Sequence, residues 1–147
     1  MELRTYKPHV IGVNRQLTVR YTSIAVLAAV ALLGVYAYWL AVGTTETFYL
    51  TGSAYYLLLI ATGAGLAGGH AYQNRGLITC IVIASMPWLG HFLSFALFEL
   101  AYPRPTVVTA FGSALLFGMP IGVVSYLLGR TFQYPSQRTN NGQEIDG

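Results

Sequence analysis

Residues Arg75–Pro105 read RGLITCIVIASMPWLGHFLSFALFELAYPRP, and Leu77 to Phe98 within them carries no Asp, Glu, Lys or Arg. A helix needs roughly 20 apolar residues to cross the hydrocarbon core of a bilayer. This stretch meets that length and also holds the chain's most chemically marked residues: Pro87, Trp88, His91 and Glu99, closed by Tyr102-Pro103-Arg104-Pro105. Its reading as a membrane span sets the expectation for everything around it.

The totals agree. The chain has 147 residues, 54% of them hydrophobic and only 9% charged. Soluble domains carry roughly 25% charged residues, too many to reconcile with this chain. Tyr21 to Thr45 is likewise free of charge, whereas Met1 to Arg20 holds Arg4, Lys7, Arg15 and Arg20. The net charge of +3 therefore marks the ends of apolar runs and carries no nucleic-acid signature. Cys80 is the sole cysteine, so no internal disulfide can form. No Asn-x-Ser/Thr acceptor is present.

The pattern predicts an all-α membrane protein, a four-transmembrane-helix bundle with N- and C-termini cytosolic, in a single membrane domain. The expected spans are about 21–42, 48–71, 77–100 and 107–129, with polar tails at 1–19 and 131–147. Pro8 and Gly12 argue against one continuous helix through the first tail, which is expected to lie near the headgroups. The first apolar run exceeds a signal-peptide core and is expected to stay as an anchor. Tyr36, Tyr38 and Trp39 gather at its far end, where rings favour the membrane–water boundary. The last tail, from Thr131 to Gly147, reads as disordered.

Counting Lys and Arg gives the orientation. With the N-terminus inside, the cytosolic segments hold Arg4, Lys7, Arg15, Arg20, Arg75, Arg130 and Arg138, and the outer loops hold Arg104 alone. Seven against one is a clear positive-inside bias.

Small residues mark the packing. Ala61, Gly65 and Gly69 recur at four-residue spacing in the second span, and Ala114, Gly118, Gly122, Ser125 and Gly129 form a seam in the fourth. Spans associate in lipid by close packing, so these seams read as helix contacts. Gly65–Gly69 and Gly118–Gly122 sit at similar depth and are expected to pair directly, or to serve as oligomer contacts. Pro87 and Pro120 are expected to kink their helices.

His91 is the sharpest candidate for chemistry, because an ionisable group inside a span is expensive and marks a functional suspect. It lies about 13 Å below Leu100 at helical rise, among Trp88, Phe92, Phe95 and Phe98. Such rings could form a ligand pocket. The blander reading is a neutral histidine bonded to a serine, a threonine or a free carbonyl on a neighbouring helix, with the rings facing lipid. His70 lies roughly 20 Å away in depth, which excludes a haem held by both histidines of one chain. A haem shared by His91 across a dimer is the remaining cofactor alternative. No metal-ligand spacing occurs. Glu99 is expected at the outer end, paired with Arg104 or solvated, or as an access site for protons. The lack of a deep carboxylate counts against a proton-coupled transporter.

No nucleophile set, acidic pair or phosphate loop is visible, and an enzyme is not expected. The leading expectation is a non-enzymatic subunit or scaffold in the cell membrane, a homo- or hetero-oligomer in the lipid bilayer. The alternatives are an oligomeric permease or channel using His91, and a redox, quinone or lipid-binding subunit.

Overall fold

The computed structural model describes residues 12–42, 52–98 and 105–141, and these form four helices with no strand among them. They are α1 (Arg15–Val42), α2 (Gly52–Asn74), α3 (Leu77–Leu97) and α4 (Val107–Asn141). The all-α four-helix architecture expected from the apolar runs is present. Arg15–Val42, Leu77–Leu97 and Val107–Phe132 are each long and apolar enough to cross a membrane. α2, 23 residues long and uncharged, is not among these three, its apolar residues being diluted by glycines, tyrosines and a polar end at Gln73 and Asn74.

The helix ends differ from the expected spans for local reasons. α1 begins at Arg15 instead of Tyr21 because Asn14 caps it, its Oδ1 accepting the amides of Gln16 (2.9 Å) and Leu17 (3.3 Å). Gly12, at φ 106°, stops any extension toward the N-terminus. α2 continues past Ala71 to Asn74 and ends where Arg75 turns left-handed at φ 56°. A two-residue link, Arg75–Gly76, then leads into α3. α3 stops at Leu97 rather than Leu100, with the Phe98 amide bonded to the Ser94 carbonyl at 2.9 Å. The disorder expected from Thr131 onward is corrected as far as Asn141, since α4 runs on to that residue. Polarity governs which residues face water but not whether a helix continues, and no glycine follows Gly129 until Gly142. Pro87 and Pro120 both sit inside continuous helices.

α3 is the central helix. In an 18-residue apolar window of α3 56% of the residues are buried, against 17% in α1 and 22% in α4, and its contact with α4 is the most extensive in the bundle. The sequence permits this because small residues occur on several of its faces. A Cβ added at Gly90 of α3 would meet the Ala29 carbonyl of α1 at 2.6 Å. One added at Gly63 of α2 would meet the Ala84 carbonyl of α3 at 3.0 Å, and one at Gly122 of α4 would meet Ile81 Cα at 2.6 Å. Glycine thus lets three neighbours approach one backbone.

The expected pairing of the two Gly-x-x-x-Gly motifs is therefore corrected. Gly118 and Gly122 are buried against Ser85 and Ile81 of α3. Gly65 is exposed and a Cβ there would meet nothing within 4 Å, while Gly69 faces the Tyr21 hydroxyl of α1. α2 and α4 do touch, further along, where a Cβ on Gly129 would meet Ala71 Cβ at 2.8 Å and the Gly68 carbonyl at 2.9 Å. The core follows from this packing: an inner cluster around Ala25, Ala67, Ala71, Cys80, Ile83 and Ala84, and an outer one around Leu59, Trp88 and Ala114.

Candidate intramembrane polar sites

α3 carries His91 into the half of the bundle away from the Arg75–Gly76 link, where it is 3% exposed. Two tyrosines from neighbouring helices reach the same ring nitrogen. The Tyr36 hydroxyl of α1 lies 2.7 Å from His91 Nδ1 and the Tyr55 hydroxyl of α2 lies 3.3 Å from it. The Tyr36 and Tyr55 rings meet edge to face at 6.2 Å, so the three side chains tie α1, α2 and α3 together. A buried polar group must find a partner, and in lipid only another protein group can supply one.

The expected partner of His91 was a serine, a threonine or a free carbonyl on a neighbouring helix. Tyrosine hydroxyls from two neighbouring helices take that place instead, and the two serines of α3 are bonded within their own helix. Ser94 Oγ donates to the Gly90 carbonyl at 2.7 Å and Ser85 Oγ to the Ile81 carbonyl at 2.8 Å. The interfacial reading of Tyr36 is corrected too: it is 3% exposed and points inward, while Tyr38 keeps the outward position.

Aromatic rings enclose the histidine. Phe95 meets it edge-on at 4.8 Å, Phe92 is tilted at 5.1 Å, and Tyr56 of α2 meets it edge-on at 5.6 Å. Phe98 makes no ring contact with it. Trp88, one turn earlier, stacks on Phe117 of α4 at 4.9 Å and lies near-parallel to Tyr56 and Phe92 at 6.1 Å. The Trp88 indole nitrogen is buried without a hydrogen-bond partner. Glu99 and Arg104, expected beside this site, lie outside the described residues.

A second polar cluster holds the opposite end of the bundle. Asn74, the last residue of α2, donates from Nδ2 to the Asn14 carbonyl and to Thr18 Oγ1, both at 2.7 Å, and its Oδ1 accepts the Asn14 amide. The Val13 amide adds a bond to the Asn74 carbonyl at 3.2 Å. His70, fully buried, lies with Nε2 3.1 Å from the same amide and Nδ1 3.5 Å from Cys80 Sγ. The Tyr21 ring closes on it edge-on at 5.7 Å, and Tyr21 itself accepts from Gln73 at 2.9 Å. Sequence reasoning gave Asn74 no role, although an Asn before the first apolar run and another at the end of the second was the available signal.

The two histidines thus belong to separate clusters at opposite ends, in keeping with the depth argument against one haem between them. A haem shared across two copies would have to use His91 Nε2, since the hydroxyls of Tyr36 and Tyr55 both bond Nδ1. Among the described residues no group of three or more His, Cys, Asp or Glu could hold a metal ion. Comparison with protein-family models, with curated proteins and with solved structures found no match.

Proposed function

We propose that the chain is a multi-pass integral protein of the cell membrane, both termini cytosolic, working as a non-enzymatic subunit that assembles through helix–helix contact. Support for the orientation comes from the arginines. Arg15, Arg20, Arg75 and Arg130 fall toward one end of the bundle, the end joined by the Asn14–Asn74 bonds and by Gly129 against Ala71. The positive-inside bias makes that end cytosolic.

The observation that carries assembly is the direction of the small-residue faces. The α4 seam is consumed inside the chain. By contrast, Gly34, Ala37 and Ala41 on α1, and Ala61 and Gly65 on α2, lie exposed, and added Cβ atoms at Gly34 and Gly65 would meet nothing. Smooth faces of this kind let a second backbone approach in lipid. The permease reading draws less support, since His91 is enclosed by rings and bonded to tyrosines.

Thiol cross-linking in native membranes tests the proposal. Gly65→Cys should give a discrete cross-linked species, and Leu116→Cys, equally lipid-facing at 72% exposure, should not. Equal cross-linking at both positions, or none at Gly65→Cys, rejects assembly through this face.

A further inference from the structure

Trp88 Nε1 is the one buried side-chain nitrogen or oxygen without a hydrogen-bond partner among the described residues. Leaving a buried N–H unpaired costs its full desolvation, so such groups are rare and each calls for a cause. Inside a bilayer no water relieves the cost. The rings around this indole are not a closed core. Tyr56 and Phe117, which lie near-parallel to it at interplanar angles of 16° and 19°, are 44% and 46% exposed. They pack against Trp88 and are themselves partly open at the bundle surface. His91 follows one turn along α3, its ring centroid 6.3 Å from the indole. Its hydrogen bonds both fall on Nδ1, and among the described residues Nε2 has none.

We propose that Trp88 and His91 form a binding site for a planar, lipid-soluble carbonyl compound with the chemistry of a quinone headgroup, admitted from the bilayer between Tyr56 and Phe117. The flat conjugated ring joins the stack of Tyr56, Trp88 and Phe117, and a ring carbonyl accepts the indole N–H. In the tautomer in which the tyrosine hydroxyls donate to Nδ1, Nε2 carries the imidazole proton and is a second N–H donor one turn along α3 from the first. An acyl chain has no acceptor for these donors, and a lipid ester has a carbonyl but no ring to stack. The site assigns binding; it requires no assembly with other helices and no electron transfer.

Only Trp39 and Trp88 are present, so indole ¹⁵N labelling gives two N–H resonances, and Trp39→Phe assigns them. In quinone-free lipid nanodiscs, a short-chain benzoquinone should move the Trp88 resonance downfield, saturably and at one equivalent, while Trp39 stays. An alkylbenzene of the same chain length should not move it. Trp88→Phe, which keeps a stacking ring, should weaken quinone binding at least tenfold by equilibrium partition. The proposal is overturned if the quinone gives no saturable shift or the hydrocarbon gives the same one. It is also overturned if the Trp88 proton is already hydrogen-bonded in quinone-free lipid, which would make a lipid carbonyl its partner.

Discussion

Gly65 and Gly118 each open a Gly-x-x-x-Gly pattern, and alanine at the two positions should act in opposite directions. At Gly118 the new methyl would lie 2.7 Å from Ser85 Cβ and closer still to Ser85 Oγ and Cα. Carbon atoms rest at roughly 3.5–4.0 Å, so α4 has to retreat by about 0.8 Å or more. Rotating the serine away does not help, because its Cα is part of the clash and its hydroxyl is held by the Ile81 carbonyl. Overpacking of this kind costs about 1–3 kcal/mol, and the gap opens along the most extensive helix contact in the bundle. At Gly65 the methyl meets nothing, and replacing a helical glycine by alanine gains up to about 1 kcal/mol. The helix gain is common to both changes, so the two variants should differ in stability by the overpacking cost, roughly 1–3 kcal/mol. Equilibrium unfolding of the monomer in mixed detergent–lipid bicelles, followed by helical circular dichroism, measures that difference. If Gly65→Ala destabilises as much as Gly118→Ala, the exposed placement of the α2 face is wrong and so is the packing argument.

Two further perturbations probe the polar clusters. Tyr36→Phe removes the 2.7 Å contact to His91, but Tyr55 is already 3.3 Å from the same nitrogen and can take it over, so the cost should be only about 0.6 kcal/mol. Tyr36→Phe with Tyr55→Phe leaves His91 Nδ1 without either hydroxyl and should cost more than the two single changes combined; a double-mutant cycle on thermal unfolding that proves additive would refute this. Asn74→Ala removes the side-chain bonds to Asn14 and Thr18 together, with an expected loss of about 2 kcal/mol. Hydrogen exchange at the Asn14 amide should rise with it, and unchanged protection there would mean that Asn74 does not anchor the start of α1.

Some of the site was legible in the residues themselves. His91 stood out because a titratable ring in an apolar run needs a partner, and its aromatic surroundings could be read from Trp88, Phe92 and Phe95 along one helix. The α4 seam was equally plain from its spacing. Tyr36 and Tyr55 were not legible as partners, since a tyrosine near the end of a span reads as interfacial until the rotation of its helix is known. The face of α2 was misjudged for the same reason. Ala61, Gly65 and Gly69 make the more regular small-residue stripe, yet Gly63, Ala67 and Ala71 are the ones turned inward.

Composition and charge spacing by themselves determined the all-α class, the four long helices among the described residues and their approximate limits. These are properties of each segment alone: an uncharged apolar run of sufficient length forms a helix because its backbone groups can bond only within it. Rotation and partnership are not segmental. Only the tertiary structure decided that α3 is central, that His91 is held by tyrosines from two other helices, that Asn74 ties α2 to the start of α1, and that the Trp88 N–H is left over. Each of those depends on how far one helix turns about its axis against another, and that angle is set by side-chain volume at contacts far apart in the chain.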